Sequence, residues 1–286
     1  MKYVKYIFIS LAAMATLVGC NKHEIGFGEV TPVGDQAMFQ VIYIAPKAVT
    51  AANAMDSLYV DGKLYGGAKG IGQLAVNGTY PYAGANSTTS GGAGLSGRYF
   101  TIPAGNHTIT LYQKNQIVYE KPVTLEKGRQ KVFVYSLDEN PIVIASITPA
   151  VSSGRSDVAS FDSDSVATIR LYNFVWKDAN TPYPDKLQYQ WSNNSDGKYL
   201  IGDWHNVGEP VGFGEATDVA TMIIHKTTFN LNGFQTIRFR CVDANGNFVA
   251  KTGDYWTSFF GKAVNHYFRG ILGGNPAAGY TQTFEL

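Results

Sequence analysis

The fold is decided by one stretch in the first half of the chain, Tyr99-Phe100-Thr101-Ile102-Pro103-Ala104-Gly105-Asn106-His107-Thr108-Ile109-Thr110-Leu111-Tyr112. Apolar and polar residues alternate on both sides of Pro103-Ala104-Gly105, which is typical of two strands that flank a turn. The second half has a matching stretch, Thr228-Phe229-Asn230-Leu231 followed by Gly233, Thr236-Ile237 and Phe239. Because the offsets nearly agree, the sequence predicts two copies of one strand-rich fold.

The same alternation predicts further strands on both sides of this stretch. In the first half they lie at residues 39–43, 58–60, 117–123, 131–137 and 141–147; in the second half they lie at residues 166–174, 187–191, 220–224, 247–251, 256–260, 266–271 and 280–284. Asp61-Gly62 and Asn245-Gly246 are two-residue hairpin signals, and no useful helical stripe is present. We therefore expect an all-β protein with two tandem immunoglobulin-like antiparallel β-sandwiches.

The N-terminus has the layout of an export signal. Lys2 and Lys5 precede an apolar run from Tyr6 to Val18, which is shorter than the roughly 20 residues of a membrane-spanning helix. The segment Leu17-Val18-Gly19-Cys20 resembles the lipobox of bacterial lipoproteins. The resemblance implies cleavage before Cys20, a thioether-linked diacylglycerol on Cys20 and a mature chain held at the membrane by lipid. The alternative is an ordinary signal peptide with an incidental cysteine.

The residue after Cys20 bears on the compartment. In lipoproteins an Asp at this position often marks retention in the inner membrane, whereas this chain has Asn21. The resemblance therefore implies the outer membrane of a Gram-negative cell. The following Asn21-Lys22-His23-Glu24 carries a single acid, which leaves exposure at the cell surface open.

Composition divides the chain into five predicted segments. Residues 1–19 form the lipoprotein signal peptide, 20–36 a flexible tether, 37–147 the first β-sandwich, 148–165 a Ser-rich linker and 166–286 the second β-sandwich. Residues 66–97 are predicted to form one long loop because Gly, Asn, Ser and Thr dominate there. The opening strands of the two copies are aligned as Phe39–Tyr43 with Thr168–Tyr172.

Charge and cysteine content exclude several classes. Lys2 and Lys5 are the charges of the leader, so 21 of the 23 basic residues remain against 22 acidic ones, and no long-range attraction to nucleic acid is expected. The 45% hydrophobic content is sufficient for packed cores. Cys241 alternates with polar residues on a predicted strand and has no disulfide partner if Cys20 is lipidated, so we expect Cys241 in a core.

Several turn and strand signals together resemble a bacterial family. They are Ala45-Pro46, Asp56-Ser57-Leu58-Tyr59-Val60-Asp61-Gly62, Ile102-Pro103-Ala104-Gly105 and, opening the second copy, Ile169-Arg170-Leu171-Tyr172-Asn173. The family is the domain of unknown function 4397, which often occurs in tandem in secreted proteins and lipoproteins. Leu231-Asn232-Gly233 departs from its Pro-Ala-Gly turn. The resemblance implies a β-sandwich without an established activity, so it assigns no catalytic residues.

No catalytic or metal-binding motif is complete in the sequence. Gly70-Ile71-Gly72-Gln73-Leu74-Ala75 matches the loose dinucleotide fingerprint but lacks its strand, helix and distal acid. The five histidines are scattered without zinc-ligand spacing, so no metal is expected. Asp243-Ala244-Asn245-Gly246-Asn247 resembles half of a calcium loop, and a hairpin turn explains the same residues. For sugar hydrolysis, the acids nearest to one another are Glu209, Glu215 and Asp218.

Aromatic residues in predicted loops are the candidates for ligand contact. In the predicted loop Gly202-Asp203-Trp204-His205-Asn206, Trp204 could stack on a sugar ring while Asp203 and Asn206 bind its hydroxyl groups. Tyr183, Tyr80 and Tyr82 are further candidates, predicted to be rigid and exposed. The alternative for each aromatic residue is packing over the end of a sandwich.

These features lead to three expectations for function. The first is a non-enzymatic outer-membrane or cell-surface lipoprotein, without a cofactor other than the lipid on Cys20, whose sandwiches contact a protein, a cell or a matrix. The second is a carbohydrate-binding surface lipoprotein of a glycan-uptake system that uses Trp204 and its neighbours. The third, a glycan hydrolase, requires a cleft with two carboxylates.

Overall fold

In the computed structural model, the described residues are 35–67, 73–81, 99–147, 164–193, 204–225, 234–249, 256–259 and 263–285. Their regular structure is β-strand, apart from a 3-10 turn at Ala51–Asn53, which confirms the predicted all-β class. The strands are β1 (Gln36–Tyr43), β2 (Ser57–Val60), β3 (Lys63–Gly66), β4 (Thr79–Tyr80), β5 (Phe100–Pro103), β6 (Gly105–Gln113), β7 (Gln116–Leu125), β8 (Gly128–Val134), β9 (Ile142–Ala145), β10 (Asp164–Trp176), β11 (Gln188–Asn193), β12 (His205–Asn206), β13 (Ala220–His225), β14 (Phe234–Val242), β15 (Trp256–Phe259), β16 (Ala263–Ile271) and β17 (Gly279–Glu285).

The strands form two sandwiches, each with an inner and an outer sheet. The first outer sheet has the order β3-β2-β6-β7, and the first inner sheet has the order β4-β1-β8-β9, with β5 also paired to β1. The second inner sheet, β13-β10-β16-β17, and the second outer sheet, β12-β11-β14-β15, have a similar arrangement. Most pairings are antiparallel, but β1–β8 and β10–β16 are parallel. Alternation fixes the faces of a strand and not its neighbours, so the sequence does not predict these parallel pairs.

Each sandwich has a core between its two sheets. In the first, Phe39, Val41 and Tyr43 of β1 pack against apolar residues of the outer sheet. In the second, Ile169 and Leu171 of β10 pack in the same way. Successive side chains of a strand point to opposite faces, so every second residue of β1 and β10 faces its own core.

A third core joins the two inner sheets face to face. It consists of residues on the other face of the same strands, namely Ile42, Ile44, Phe133, Tyr172, Phe174 and Tyr267. The ring centroid of Phe133 lies 4.6 Å from that of Phe174, so the aromatic rings of the two sandwiches interleave. Arg170 Nη1 also donates a hydrogen bond of 2.6 Å across this contact, to the carbonyl oxygen of Ala145. Asp35–Leu286 therefore form one unit in which four sheets are stacked.

The segment 99–112 carries the chain from one sheet to another. β5 pairs with β1 in the first inner sheet, whereas β6 pairs with β2 and β7 in the first outer sheet. The crossing is at Pro103-Ala104-Gly105, where Gly105 has a φ of +146°. His107 stabilises this corner through two hydrogen bonds. Its Nδ1 lies 2.6 Å from Asp61 Oδ2, and its Nε2 lies 2.8 Å from the carbonyl oxygen of Pro103. The predicted turn is therefore a corner between two sheets and not a hairpin.

Several predicted boundaries are wrong by a few residues. Gln36, assigned to the tether, belongs to β1, and Asp164 and Ser165, assigned to the linker, belong to β10. The loop predicted at residues 66–97 contains β4 and the fully buried Leu74, because this segment covers the first core. The strand predicted at residues 247–251 is reduced, in its described part, to an isolated bridge between Phe248 and Val242.

The predicted alignment of the opening strands is wrong by one residue. It matches Tyr43 with Tyr172, yet Tyr43 faces the first core and Tyr172 faces the third core between the sandwiches. The faces agree when Val41 is matched with Leu171, since both point into the core of their own sandwich. A shift of one residue exchanges the two faces of a strand, and both faces of these strands are apolar, so hydrophobicity alone does not fix the alignment.

Candidate functional site

The exposed face of the second outer sheet carries a row of polar side chains. Gln190 of β11 faces away from the second core because its neighbour Tyr189 points into that core. The cross-strand partners of Gln190 are Arg240 of β14 and Asn206 of β12. Three adjacent strands thus bring these polar side chains together, and Trp204, the residue directly before β12, lies beside them. We refer to Asn206, Gln190, Arg240 and Trp204 as the polar row.

Hydrogen bonds and ring stacking fix the polar row. Arg240 Nε donates to Gln190 Oε1 at 2.6 Å, and Gln190 Nε2 donates to Asn206 Oδ1 at 2.8 Å. The guanidinium of Arg240 lies over the ring of Trp204, 4.2 Å from its centroid, which is a cation–π contact. Partial burial lowers the pKa of Arg240, but an arginine stays charged at neutral pH. The row therefore presents a fixed positive charge beside an exposed amide.

A depression continues the polar row along the same face. Gln188 lies on the same side of β11 as Gln190 and helps to line the depression, and its Nε2 donates to the carbonyl oxygen of Gly208 at 3.1 Å. The volume is about 480 Å³, which falls in the range of small-ligand sites. The other lining residues are Asp185, Lys186, Pro210, Asp243, Ala244 and Asn245. The depression therefore carries charged groups of both signs at its lining.

The structure brings two predicted ligand-contact residues, Trp204 and Asn206, together in the polar row. The predicted loop is wrong at its end, since His205 and Asn206 form the edge strand β12. Arg240 covers one face of the Trp204 ring, so that face is not available to a sugar. Asp203, like Tyr82 and Cys20, lies outside the described residues.

The two other described candidates lie elsewhere. Tyr183 is half-buried against the second core, and burial together with the nearby Asp185 and Asp243 raises the pKa of its hydroxyl, which places it close to the depression. The prediction of Tyr80 as an exposed aromatic is wrong. Tyr80 has 0% exposure, because β4 pairs with β1 at Val41 and turns the ring into the first core.

Sequence reasoning missed Arg240 and Gln190. Each occupies an outward position of an alternating strand, where a polar residue is expected on any solvated face. They form part of a site only because the register of β11 and β14 places one opposite the other. The register between strands that are far apart in sequence cannot be predicted from the alternation of polar and apolar residues.

The exposed face of the first outer sheet carries an apolar stripe. Tyr59 of β2 pairs with Leu64 of β3, and Tyr112 of β6 pairs with Ile117 of β7. The rings of Tyr59 and Tyr112 lie 5.1 Å apart, so the two pairs are continuous. Leu64 is 39% exposed and Ile117 is 52% exposed. These four side chains cross all four strands of the sheet, and we refer to them as the apolar stripe.

Two of the acids that suggested metal or hydrolytic chemistry, Asp243 and Glu215, bind backbone N–H groups of turns in the structure. Asp243 Oδ1 accepts hydrogen bonds of 2.8 Å from the N–H groups of Asn245 and Asn247, and bonds to Asn247 lower the pKa of the carboxyl group. Glu215 Oε2 likewise accepts from the N–H of Gly212 at 2.7 Å. Among the described residues, no group of three or more His, Cys, Asp or Glu side chains is placed to hold a metal ion.

Two buried titratable residues belong to the second core. Cys241 is fully buried, as predicted, and burial raises the pKa of its thiol well above the usual value. His266 is also fully buried, with its ring centroid 4.5 Å from that of Phe239, and burial lowers its pKa to about 3. Both groups are therefore neutral at physiological pH and act as core residues.

Comparisons with known proteins add no assignment. No family model matches the chain, and no curated protein matches it. Among solved structures it is similar to a leucine-rich repeat protein from Bacteroides thetaiotaomicron, with 9% identity, a TM-score of 0.20 and coverage of 83% of this chain and 26% of that one. It is also similar to the Bacillus anthracis TIE protein, with 9% identity, a TM-score of 0.19 and coverage of 82% and 34%.

The chain thus spans 26% and 34% of the lengths of these two proteins, and TM-scores this low carry no argument about fold or function. In the described part of the chain, no helix has the length and apolar character needed to cross a membrane.

Proposed function

We propose that the protein is a non-enzymatic lipoprotein of the outer membrane or cell surface, anchored through a lipid on Cys20, whose exposed sheets contact a partner. The anchor is supported by the charged start, the short apolar run and the Leu-Val-Gly-Cys segment of the leader. The contact role is supported by one observation above all, the apolar stripe on the first outer sheet. Exposed apolar patches of this kind mark interaction surfaces.

The chemistry of the apolar stripe favours a protein partner. Tyrosine is enriched at the centre of protein interfaces, and here two tyrosines are flanked by the aliphatic Leu64 and Ile117. The stripe lies on the face of a sheet whose backbone is already paired, so recognition there depends on side-chain packing. An exposed apolar surface of this composition suits another protein better than a polar ligand.

Metabolic labelling with palmitate tests the anchor. We expect label on the chain expressed in its native cell and none on the Cys20→Ser variant, which lacks the thiol that carries the lipid. Absence of label from the unaltered chain, while other lipoproteins of the same cells are labelled, would reject lipid anchoring.

Binding of the purified mature chain to intact cells and to extracellular matrix tests the contact role. We expect the double variant Tyr59→Ser, Tyr112→Ser to bind at least about tenfold more weakly, since buried tyrosines commonly dominate interface energy. Phe248→Ser is the matched control, because Phe248 is 54% exposed and lies outside the stripe. Equal binding of the two variants would argue against the stripe as the contact surface.

A second candidate function, carbohydrate binding, is supported by the polar row and the adjoining depression. Amide and guanidinium groups on a flat face recognise hydroxyl groups, and the depression has the volume of a small-ligand site. Affinity electrophoresis against a panel of polysaccharides tests this candidate. We expect the unaltered chain to be retarded by at least one glycan and Trp204→Ala to lose that retardation, because Trp204 supports Arg240. A panel without any retardation would remove the candidate.

A further inference from the structure

We propose that the polar row binds a carboxylate-bearing carbohydrate, an acidic polysaccharide built from uronate units, with Arg240 holding the carboxylate. The inference rests on the carbohydrate-binding candidate and names its ligand class. Two observations support it. The side chains of Arg240, Gln190 and Asn206 are oriented by hydrogen bonds on adjacent strands, and N–H groups of Arg240 and Asn206 remain as donors for a ligand.

Arg240 is prepared for a carboxylate. Its Nε is engaged with Gln190 and one flat face is covered by Trp204, so the side chain is held in place before a ligand arrives. In the described part of the chain, the hydrogen bonding of Arg240 is limited to that Nε contact, which leaves the two terminal nitrogens as donors for a ligand. A planar pair of N–H donors matches the two oxygens of a carboxylate.

The other end of the polar row also presents donors. Gln190 accepts from Arg240 and donates to Asn206 Oδ1, while Asn206 is itself exposed and carries an Nδ2 donor group. The hydrogen bonds therefore run in one direction, from Arg240 through Gln190 to Asn206. A row with donors at both ends selects a ligand rich in acceptors, which a uronate unit supplies through its carboxylate and ring hydroxyls.

The depression beside the polar row accommodates the next sugar unit of the polysaccharide. Asp185 and Asp243 disfavour a second carboxylate inside the depression, so the next unit places its hydroxyl groups there, where Lys186 offers donors, and its carboxylate faces solvent. Gln190, at the centre of the row, lies on β11, which is paired with β12 on one side and β14 on the other, so a peptide cannot add there as an extra strand. The placement therefore favours a carbohydrate over an acidic peptide.

Calorimetry or affinity electrophoresis with three polymers at about 150 mM salt tests the proposal, since screening at this ionic strength suppresses non-specific attraction. The probes are polygalacturonate, the same polymer after reduction of its carboxyl groups, and polyglutamate. The variants are Arg240→Gln and Arg240→Lys. The matched control is Arg129→Gln, because Arg129 also stacks on an aromatic ring, that of Tyr99, but lies in the first sandwich.

We expect the unaltered chain to bind polygalacturonate about tenfold or more tightly than the reduced polymer, as a charge-assisted hydrogen-bond pair allows. Arg240→Gln should abolish this preference, Arg240→Lys should keep part of it, and Arg129→Gln should keep all of it. Equal binding of both polysaccharides would overturn the carboxylate assignment and leave carbohydrate binding in place. Binding to neither polysaccharide would reject both the carboxylate assignment and the carbohydrate-binding candidate. Equal or tighter binding of polyglutamate would show that the ligand is an acidic peptide and not a carbohydrate.

Discussion

At the scale of single residues, Phe133 shows how the two sandwiches are joined. Its neighbours on β8, Val132 and Val134, point into the first core, so Phe133 points the other way. There its ring centroid lies 4.6 Å from that of Phe174 and 5.3 Å from that of Tyr172. A single side chain of the first sandwich therefore packs among aromatic rings of the second.

Replacement of Phe133 by alanine should destabilise the whole stack. We expect Phe133→Ala to lower the free energy of unfolding by about 3–5 kcal/mol, because it removes a large buried ring and leaves a cavity between the inner sheets. Urea unfolding measures the change. Phe248→Ala is the control, and it should change the free energy by less than about 0.5 kcal/mol because Phe248 is exposed. Similar small losses in both variants would contradict the third core.

A second residue-scale prediction concerns pH. The hydrogen bonds of Asp61 with His107 and with the N–H of Thr108 lower the pKa of its carboxyl group. A depressed folded-state pKa contributes stability above the unfolded value of 3.8, and this stability is lost as the pH falls through the lower folded value. Because Asp61 is largely solvated, the contribution at neutral pH is about 1 kcal/mol or less.

The variant Asp61→Asn isolates this contribution. Asparagine suits the same hairpin turn but carries no charge, so we expect the stability difference from the unaltered chain to vanish as the pH falls below 3.8. Urea midpoints across the pH range measure it. A difference that persists unchanged in acid would show that the carboxylate charge is not responsible.

At the scale of elements, turns and corners set where each strand runs. The Asp61-Gly62 hairpin has φ values of 50° and 75°, which matches the predicted two-residue turn between β2 and β3. Gly67, just after β3, has a φ of +101° and lies against the backbone at the start of β2, at Asp56 and Ser57. The two glycines therefore share a left-handed conformation but differ in the space around them.

This difference predicts unequal costs for alanine. A Cβ on Gly62 meets nothing within 4 Å, whereas a Cβ on Gly67 would lie 1.9 Å from the carbonyl oxygen of Asp56. We expect Gly62→Ala to cost about 1–2 kcal/mol from the backbone conformation and Gly67→Ala to cost about 1–3 kcal/mol more from the clash. Thermal or urea unfolding compares them. Equal costs would mean that the contact between Gly67 and β2 is not present.

Strand positions were predictable because alternation and turn chemistry are local properties. Leu187 and Tyr189 face the second core as their spacing predicts, and Cys241 is buried among them. The third core was not predictable, because the second apolar face of β1 and β10 looks the same in sequence as an ordinary buried strand. The polar row required the pairing of Gln190 with Arg240, which joins segments distant in sequence. Tyr80 was wrongly predicted to be exposed because the Gly-rich sequence around it gives no indication of the two-residue strand β4.

At the scale of the whole molecule, the inner sheets are buried on both faces and the outer sheets are left to meet the surroundings. The first outer sheet presents the apolar stripe and the second presents the polar row, so the two ends of the stack differ in chemistry. One unit of four stacked sheets therefore carries both surfaces. Joint display of the two surfaces therefore requires the four sheets to behave as one body.

Equilibrium unfolding of the mature chain, followed by two signals, tests this claim most directly. All four tryptophans (Trp176, Trp191, Trp204 and Trp256) lie in the second half of the chain, so tryptophan fluorescence reports on the second sandwich, whereas far-ultraviolet circular dichroism reports on both. We expect the two urea transitions to coincide, because the third core couples the sandwiches. Two separate transitions, with fluorescence following only one of them, would contradict a single four-sheet unit.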